Sequence, residues 1–115
     1  MTVSIKRVYE EREASDGLRI LVDRVWPRGV SKQAAAVDEW LKEAGPSTEL
    51  RTWFGHDPQR FAEFAERYRA ELRENPALHR LRELTAANDA VTLVYSAKDT
   101  EHNQAVVLRE LLARN

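Results

Sequence analysis

The sequence predicts a single α/β domain over residues 1–115, with a small, mostly parallel three-stranded sheet flanked by about five helices. Two observations lead to this fold class. Three short runs rich in β-branched residues are separated by segments whose apolar residues recur at helical spacing. The second and third runs are joined by a long helical stretch, and a crossover of that length favours a parallel pair of strands.

The three strands are predicted at residues 3–9, 18–25 and 91–96. The run Ile20-Leu21-Val22 lacks alternation between apolar and polar side chains, which predicts burial on both faces of the sheet. Asp16-Gly17 is a turn signal before the second strand. The direction of the first strand stays open, because the link at residues 10–17 is shorter than a parallel crossover usually requires.

The helices are predicted over residues 32–44, over residues 48–54, from residue 58, from residue 76, and over residues 100–113. Ser31 and Ser47 supply N-caps for the first two, and Gly45-Pro46 separates them. Asp57-Pro58 and Asn75-Pro76 each place an N-cap before a proline at the first helical position. The helix positions of the aromatic residues favour core packing over an aromatic pocket.

Composition excludes several classes of function. A net charge of -1 disfavours a general nucleic-acid binder. The absence of cysteine removes thiol catalysis and zinc sites built on thiolates. The four glycines form no phosphate-binding loop, which disfavours the usual nucleotide and dinucleotide motifs, and no cofactor is predicted. No metal is predicted, because the three histidines are scattered without a His or Cys partner nearby. With no apolar run near the ~20 residues of a membrane span and no signal peptide, we expect a cytoplasmic protein without membrane contact, and its oligomeric state stays open.

Polar side chains crowd the two places where the second and third strands end. Because the carboxyl ends of parallel strands meet at one rim, where ligands of α/β sheets bind, we expect these side chains to converge. Arg28, Lys98 and the N-terminus of the last helix would then form a site for a small anion such as phosphate. The alternative is that these residues make local ion pairs or are solvated loop charges. The residues in question are Asp23, Arg24, Trp26, Arg28, Ser96, Lys98, Asp99, His102 and Asn103.

Among the three histidines, His102 is the candidate for proton transfer because it follows the third strand and lies near Asp99. His56 beside Asp57 is better interpreted as a loop histidine than as a metal ligand, and His79 as a surface residue. Glutamates and arginines alternate along residues 60–83, which is typical of a solvated, salt-bridged helix face rather than a nucleic-acid interface.

Six blocks of sequence together resemble the YeaO-like family, a small bacterial and archaeal domain of unknown function (domain of unknown function 488). They lie at residues 6–9, 22–32, 40–42, 46–51, 53–58 and 92–99, with Trp26-Pro27-Arg28-Gly29 the most specific part. The resemblance implies a single α/β domain and supplies no reaction. Val25 and Val30 stand where leucine is usual, and Phe61 where tryptophan is common. Wider relatives carry a Cys-His-Arg motif where this chain has residues 98–103 without cysteine, so no thiol mechanism is carried over.

Three functional hypotheses remain. In the first, the protein is an enzyme or former enzyme acting on a small anionic, phosphate or nucleotide-like ligand. Arg24 and Arg28 would bind the anion, Lys98 and Asn103 would orient it, and Asp23, Asp99 or His102 would move protons. In the second, the protein is a non-catalytic binding or regulatory module for a nucleic-acid end or a protein partner. In the third, the Trp and Arg residues of 22–54 form a buried network that fastens the first helices to the sheet.

Overall fold

The computed structural model describes residues 2–113 and contains one sheet of four parallel strands. The strands are β1 (Thr2–Arg7), β2 (Leu18–Leu21), β3 (Glu39–Trp40) and β4 (Ala90–Tyr95), in the spatial order β1-β4-β2-β3. The α/β class and the parallel pairing of β2 with β4 are confirmed. The prediction of three strands is wrong, because β3 adds a fourth at the edge beside β2.

The first strand is parallel to its neighbour although its link to β2 is short. It lies on the far side of β4, with Val3 opposite Val91, and the link crosses that strand with only a 3-10 turn at Ala14–Asp16. Gly17 makes the crossing possible, since a Cβ there would lie 2.2 Å from the carbonyl oxygen of Ala90. Asp16 fixes the end of the link by binding Lys6 and the buried Arg19, at 3.1 and 2.8 Å.

The predicted helix over residues 32–44 is wrong. The only helical parts of the segment are the short α1 (Lys32–Ala35) and a 3-10 turn at Lys42–Ala44, and Ala36 ends α1 in the left-handed region with a φ of 49°. The carboxylate of Asp38 then accepts a hydrogen bond from the backbone N–H of Arg19, which holds the chain against β2. Tertiary pairing to the sheet outweighs the helical spacing of the apolar residues in this segment.

The remaining helices follow the prediction more closely. They are α2 (Thr48–Phe54), α3 (Phe61–Arg73), α4 (Pro76–Ala87) and α5 (Gln104–Ala113), which with α1 make five α-helices in the described residues. Ser47 and Asn75 accept the expected capping hydrogen bonds, while Asp57 caps a 3-10 turn that leads into α3. α5 begins four residues later than predicted, because Asp99 and Asn103 hold the preceding residues in turns.

The sheet is buried on both faces, and the two faces are covered unequally. Ile20 and Val22 face a large core shared with the helices, whereas Leu21 belongs to a small cluster with Val8 and Val94. Ile20, Leu21 and Val22 are fully buried, as their lack of alternation predicts. No helix within residues 2–113 has the length and apolar character needed to cross a membrane.

Candidate functional site

Strands β2 and β4 end side by side and open onto a cavity of about 890 Å³. Leu21 is paired with Val94, so the segments that follow the two strands leave the sheet together. The structure brings all seven predicted site residues to this cavity, as the rim argument expects: Asp23, Arg24, Arg28, Lys98, Asp99, His102 and Asn103. The wall is completed by residues from α2, α3 and the start of α5.

Asp23 lies at the buried side of the cavity and is only 7% exposed. One of its carboxylate oxygens accepts hydrogen bonds from the backbone N–H and the hydroxyl of Ser96, at 3.1 and 2.5 Å. The other accepts a hydrogen bond from Gln104 at 2.5 Å. Burial raises the pKa of Asp23 above its usual value, and these hydrogen bonds together with the charge of Arg51 offset part of that rise. Asp23 therefore joins the ends of both strands to α5.

Asp99 and His102 form a hydrogen-bonded pair at the rim. Asp99 accepts hydrogen bonds from the backbone N–H groups of Glu101 and His102, and its second oxygen lies 2.9 Å from Nδ1 of the His102 ring. The hydrogen bond from the Glu101 backbone, followed by those from His102, lowers the pKa of Asp99. The edge contact between the rings of Phe61 and His102 also fixes the imidazole. Among residues 2–113, Nε2 of His102 has no hydrogen-bond partner, so it is free for a ligand.

Two of the predicted ligand-binding residues use their polar atoms to hold the backbone. Arg24 donates from Nε to the carbonyl of Pro46 and from Nη2 to the carbonyl of Gly45, at 2.8 and 2.9 Å. The amide of Asn103 donates to the carbonyl of Asp99 and accepts from the backbone N–H of Val106. Both side chains line the cavity, and both shape the loops that form it.

Three other cations are placed differently. The side chains of Arg28, Arg51 and Lys98 are exposed, line the cavity, and make no hydrogen bond or ion pair within the part of the chain described. They come from the loop after β2, from α2 and from the loop after β4. Sequence reasoning missed Arg51, since nothing distinguishes it from the many other helical arginines.

Apolar side chains form much of the remaining wall. Phe54 and Phe64 stack with their ring centroids 4.3 Å apart. Trp26 donates from its indole N–H to the carbonyl of Val30 and packs edge-on against Trp40. Core packing and cavity lining are thus compatible roles for Phe54, for which the helical spacing favours the core over an aromatic pocket.

The other polar wall residues have no strong sequence signal. His56 stands in the wall with a φ of 58°, close to Phe54, and Gln104 was not singled out from the sequence. Within residues 2–113, no group of three or more histidine or carboxylate side chains is arranged to hold a metal ion. His79 is exposed on α4, as expected.

Comparison with known proteins identifies uncharacterised relatives. Residues 2–115 match a family model described as the inactive DUF488-N3 subclade. The uncharacterised protein YeaO of Escherichia coli (strain K12) is 47% identical over 112 residues, which cover 97% of each chain. Uncharacterised proteins of Mycobacterium tuberculosis and Mycobacterium bovis are each 46% identical over 110 residues, covering 96% of this chain and 92% of theirs. No solved structure matches.

Proposed function

This chain belongs to the DUF488 family, in its inactive N3 subclade, and we propose that its strand-end cavity binds a small phosphate-bearing anion without transforming it. The observation that carries the proposal is that three cations from three separate segments, none with a partner among residues 2–113, surround one cavity. Arg28, Arg51 and Lys98 have no hydrogen-bond or ion-pair partner in the described residues, and each adds positive charge beside the same space.

The charge of the cavity wall favours an anionic ligand. Arg24, Arg28, Arg51 and Lys98 contribute four positive charges, against the two carboxylates Asp23 and Asp99. Both carboxylates are occupied by hydrogen bonds from nearby N–H or O–H groups, which reduces their repulsion of an anion. Guanidinium groups bind phosphate oxygens through paired, charge-assisted hydrogen bonds, and an ammonium group acts as a point charge.

The polar residues support binding rather than chemistry. Asp23 already accepts three hydrogen bonds from Ser96 and Gln104, so most of its lone pairs hold the strand ends and α5 together. Asp99 orients His102, whose free Nε2 accepts a hydrogen bond from a ligand hydroxyl when neutral and contacts a phosphate oxygen when protonated. Asn103 does not contact the ligand in this proposal; it fixes the turn that carries Asp99 and His102. The description of the subclade as inactive fits this assignment.

Titration with inorganic phosphate at low ionic strength tests the proposal. We expect phosphate to shift the backbone amide resonances of residues 28, 51 and 98, and the side-chain Nε resonances of Arg28 and Arg51, in a saturable way. Arg28→Ala, Arg51→Ala and Lys98→Ala are each expected to weaken binding about fivefold, the effect of losing roughly 1 kcal/mol from a partly exposed charge contact.

Arg73→Ala is the matched control, because Arg73 is an exposed cation of α3 that does not line the cavity. It is expected to leave phosphate affinity unchanged. Absence of saturable binding to the wild-type protein would refute the proposal, as would an equal loss of affinity in Arg73→Ala and the three cavity variants.

A second candidate is the binding of a phosphorylated nucleic-acid end. It is favoured by Trp40, which is 40% exposed, packs against the cavity residue Trp26, and has the ammonium of Lys42 5.8 Å from its ring centroid. An exposed tryptophan beside cations can stack a base. If this candidate is correct, a 5′-phosphorylated single strand binds more tightly than the mononucleotide, and Trp40→Ala removes the gain. Equal affinities would exclude it.

A further inference from the structure

We propose that the ligand is a hydroxyl-bearing phosphate ester, of the kind found in sugar phosphates and in the ribose phosphate of nucleotides, with its hydroxyl groups directed toward Asp23. This inference rests on the proposed function, since it assigns the phosphate group to Arg28, Arg51 and Lys98. The inference adds the chemistry of the part of the ligand that lies away from its phosphate group.

The two sides of the cavity differ in exposure and in charge. Arg28, Arg51 and Lys98 are exposed, whereas Asp23 is 7% exposed. The more exposed part of the lining therefore carries the three cations and the hydrogen-bonded Asp99, and the buried part carries the carboxylate of Asp23. A second anionic group on the ligand would be repelled at the buried side, so the ligand carries its negative charge at one end only.

The hydrogen-bonding groups around Asp23 are mainly acceptors. A carboxylate has about four lone-pair positions, and three hydrogen bonds from Ser96 and Gln104 occupy three of them. The hydroxyl hydrogen of Ser96 is directed to Asp23, so Oγ is left as an acceptor. Oε1 of Gln104 accepts no hydrogen bond within residues 2–113. Three separate acceptors at one end of a cavity suit a group that donates several hydrogen bonds in different directions, as neighbouring hydroxyls do.

The size of the cavity also favours a ligand larger than phosphate. A free phosphate ion fills only a small part of about 890 Å³, and cavities of roughly 300–1,000 Å³ usually hold molecules of drug size. The apolar wall formed by Trp26, Phe54 and Phe64 offers a surface for the carbon skeleton of such a ligand. A phosphate ester with a hydroxylated body fills more of this space than phosphate alone.

Binding of ribose 5-phosphate compared with ethyl phosphate tests the inference. Both carry the same anionic group, and only the first carries several hydroxyls. We expect ribose 5-phosphate to bind at least about tenfold more tightly, the effect of one hydrogen bond to a charged acceptor. In Asp23→Asn and Gln104→Met this ratio is expected to fall below about threefold, while the affinity for ethyl phosphate changes by less than about twofold.

Gln104→Met preserves the length of a half-buried side chain, so it reports on hydrogen bonding even if Asp23→Asn fails to fold. Equal binding of both esters by the wild-type protein would overturn the hydroxyl assignment and leave the anion site intact. Tighter binding of phosphoethanolamine than of ribose 5-phosphate would overturn it in favour of an ammonium-bearing ligand. Absence of binding by every phosphate compound would refute the proposed function itself. A preference for adenosine 5′-monophosphate over ribose 5-phosphate would identify the ligand as a nucleotide. Equal affinities would identify it as a sugar phosphate, and both outcomes agree with the inference.

Discussion

Replacement of Gly17 by alanine tests how the short link carries the chain across β4. Gly17 has a φ of 64° and a ψ of -134°, a combination far from the left-handed helical pair that L residues occasionally adopt. We expect about 1–3 kcal/mol of backbone strain for alanine in such a conformation. The new Cβ would also lie 2.2 Å from the carbonyl oxygen and 2.7 Å from the carbonyl carbon of Ala90.

The contact cannot be relieved by a side-chain rotation, because the atoms it meets belong to the backbone at the start of β4. Forced overpacking typically adds about 1–3 kcal/mol, so the total loss is expected to be about 2–6 kcal/mol. That is a large fraction of the roughly 5–15 kcal/mol by which domains of this size are stable. Urea denaturation followed by tryptophan fluorescence measures the change in the free energy of unfolding.

Gly29→Ala provides the matched control. Gly29 also has a positive φ, 75°, but a Cβ there would meet no atom within 4 Å. We expect a loss of only about 1–2 kcal/mol, from backbone strain alone. Equal losses in Gly17→Ala and Gly29→Ala would show that the close approach of the link to β4 is not real.

Three further predictions concern the residues around the cavity and the sheet. Arg24→Ala removes the hydrogen bonds to Gly45 and Pro46 and is expected to lower the free energy of unfolding by about 2 kcal/mol, whereas an unchanged urea midpoint would show that Arg24 is not holding this loop. Burial raises the pKa of Asp16, but hydrogen bonds from the Glu13 backbone, Arg19 and Lys6 outweigh it and leave the pKa below 3.8. The stabilisation by Asp16 is therefore present above about pH 3.8 and lost as the pH falls through the lowered pKa. In Asp16→Asn the melting temperature should fall less steeply with decreasing pH in this acid range, and an unchanged steepness would contradict the assignment. Tyr68→Phe removes the buried hydrogen bond to the carbonyl of Ala44 and is expected to destabilise the protein by about 1–3 kcal/mol. A thermal melt measures this loss, and an unchanged melting temperature would contradict it.

The strands and most helices could be predicted from local sequence because their signals are local. The unbroken apolar run at Ile20 and the cap-proline pairs at residues 57–58 and 75–76 each specify an element without reference to the rest of the chain. Strand β3 has only two residues, and it is held by backbone pairing to β2 and by the hydrogen bond from the Arg19 backbone to Asp38. No pattern within residues 32–44 encodes that contact.

The candidate site could be located from the sequence because parallel strands end at one rim. Asp23 and Ser96 each follow a buried strand, and their hydrogen bonds realise the expected convergence. Which of these side chains hold the backbone and which remain available to a ligand could not be predicted. Arg24 and Arg28 look alike in the sequence, yet Arg24 binds backbone carbonyls while Arg28 makes no hydrogen bond within residues 2–113. Arg51 reaches the cavity only because α2 packs beside it.

A crystal structure of the protein soaked with ribose 5-phosphate would show directly whether the strand-end cavity binds the phosphate. We expect the phosphate group within hydrogen-bond distance of Arg28, Arg51 or Lys98, at about 2.7–3.2 Å, with the sugar hydroxyls toward Asp23 and Gln104. Density for the compound on another surface, or an empty cavity at a concentration that saturates binding in solution, would contradict the claim that the strand-end cavity is an anion site.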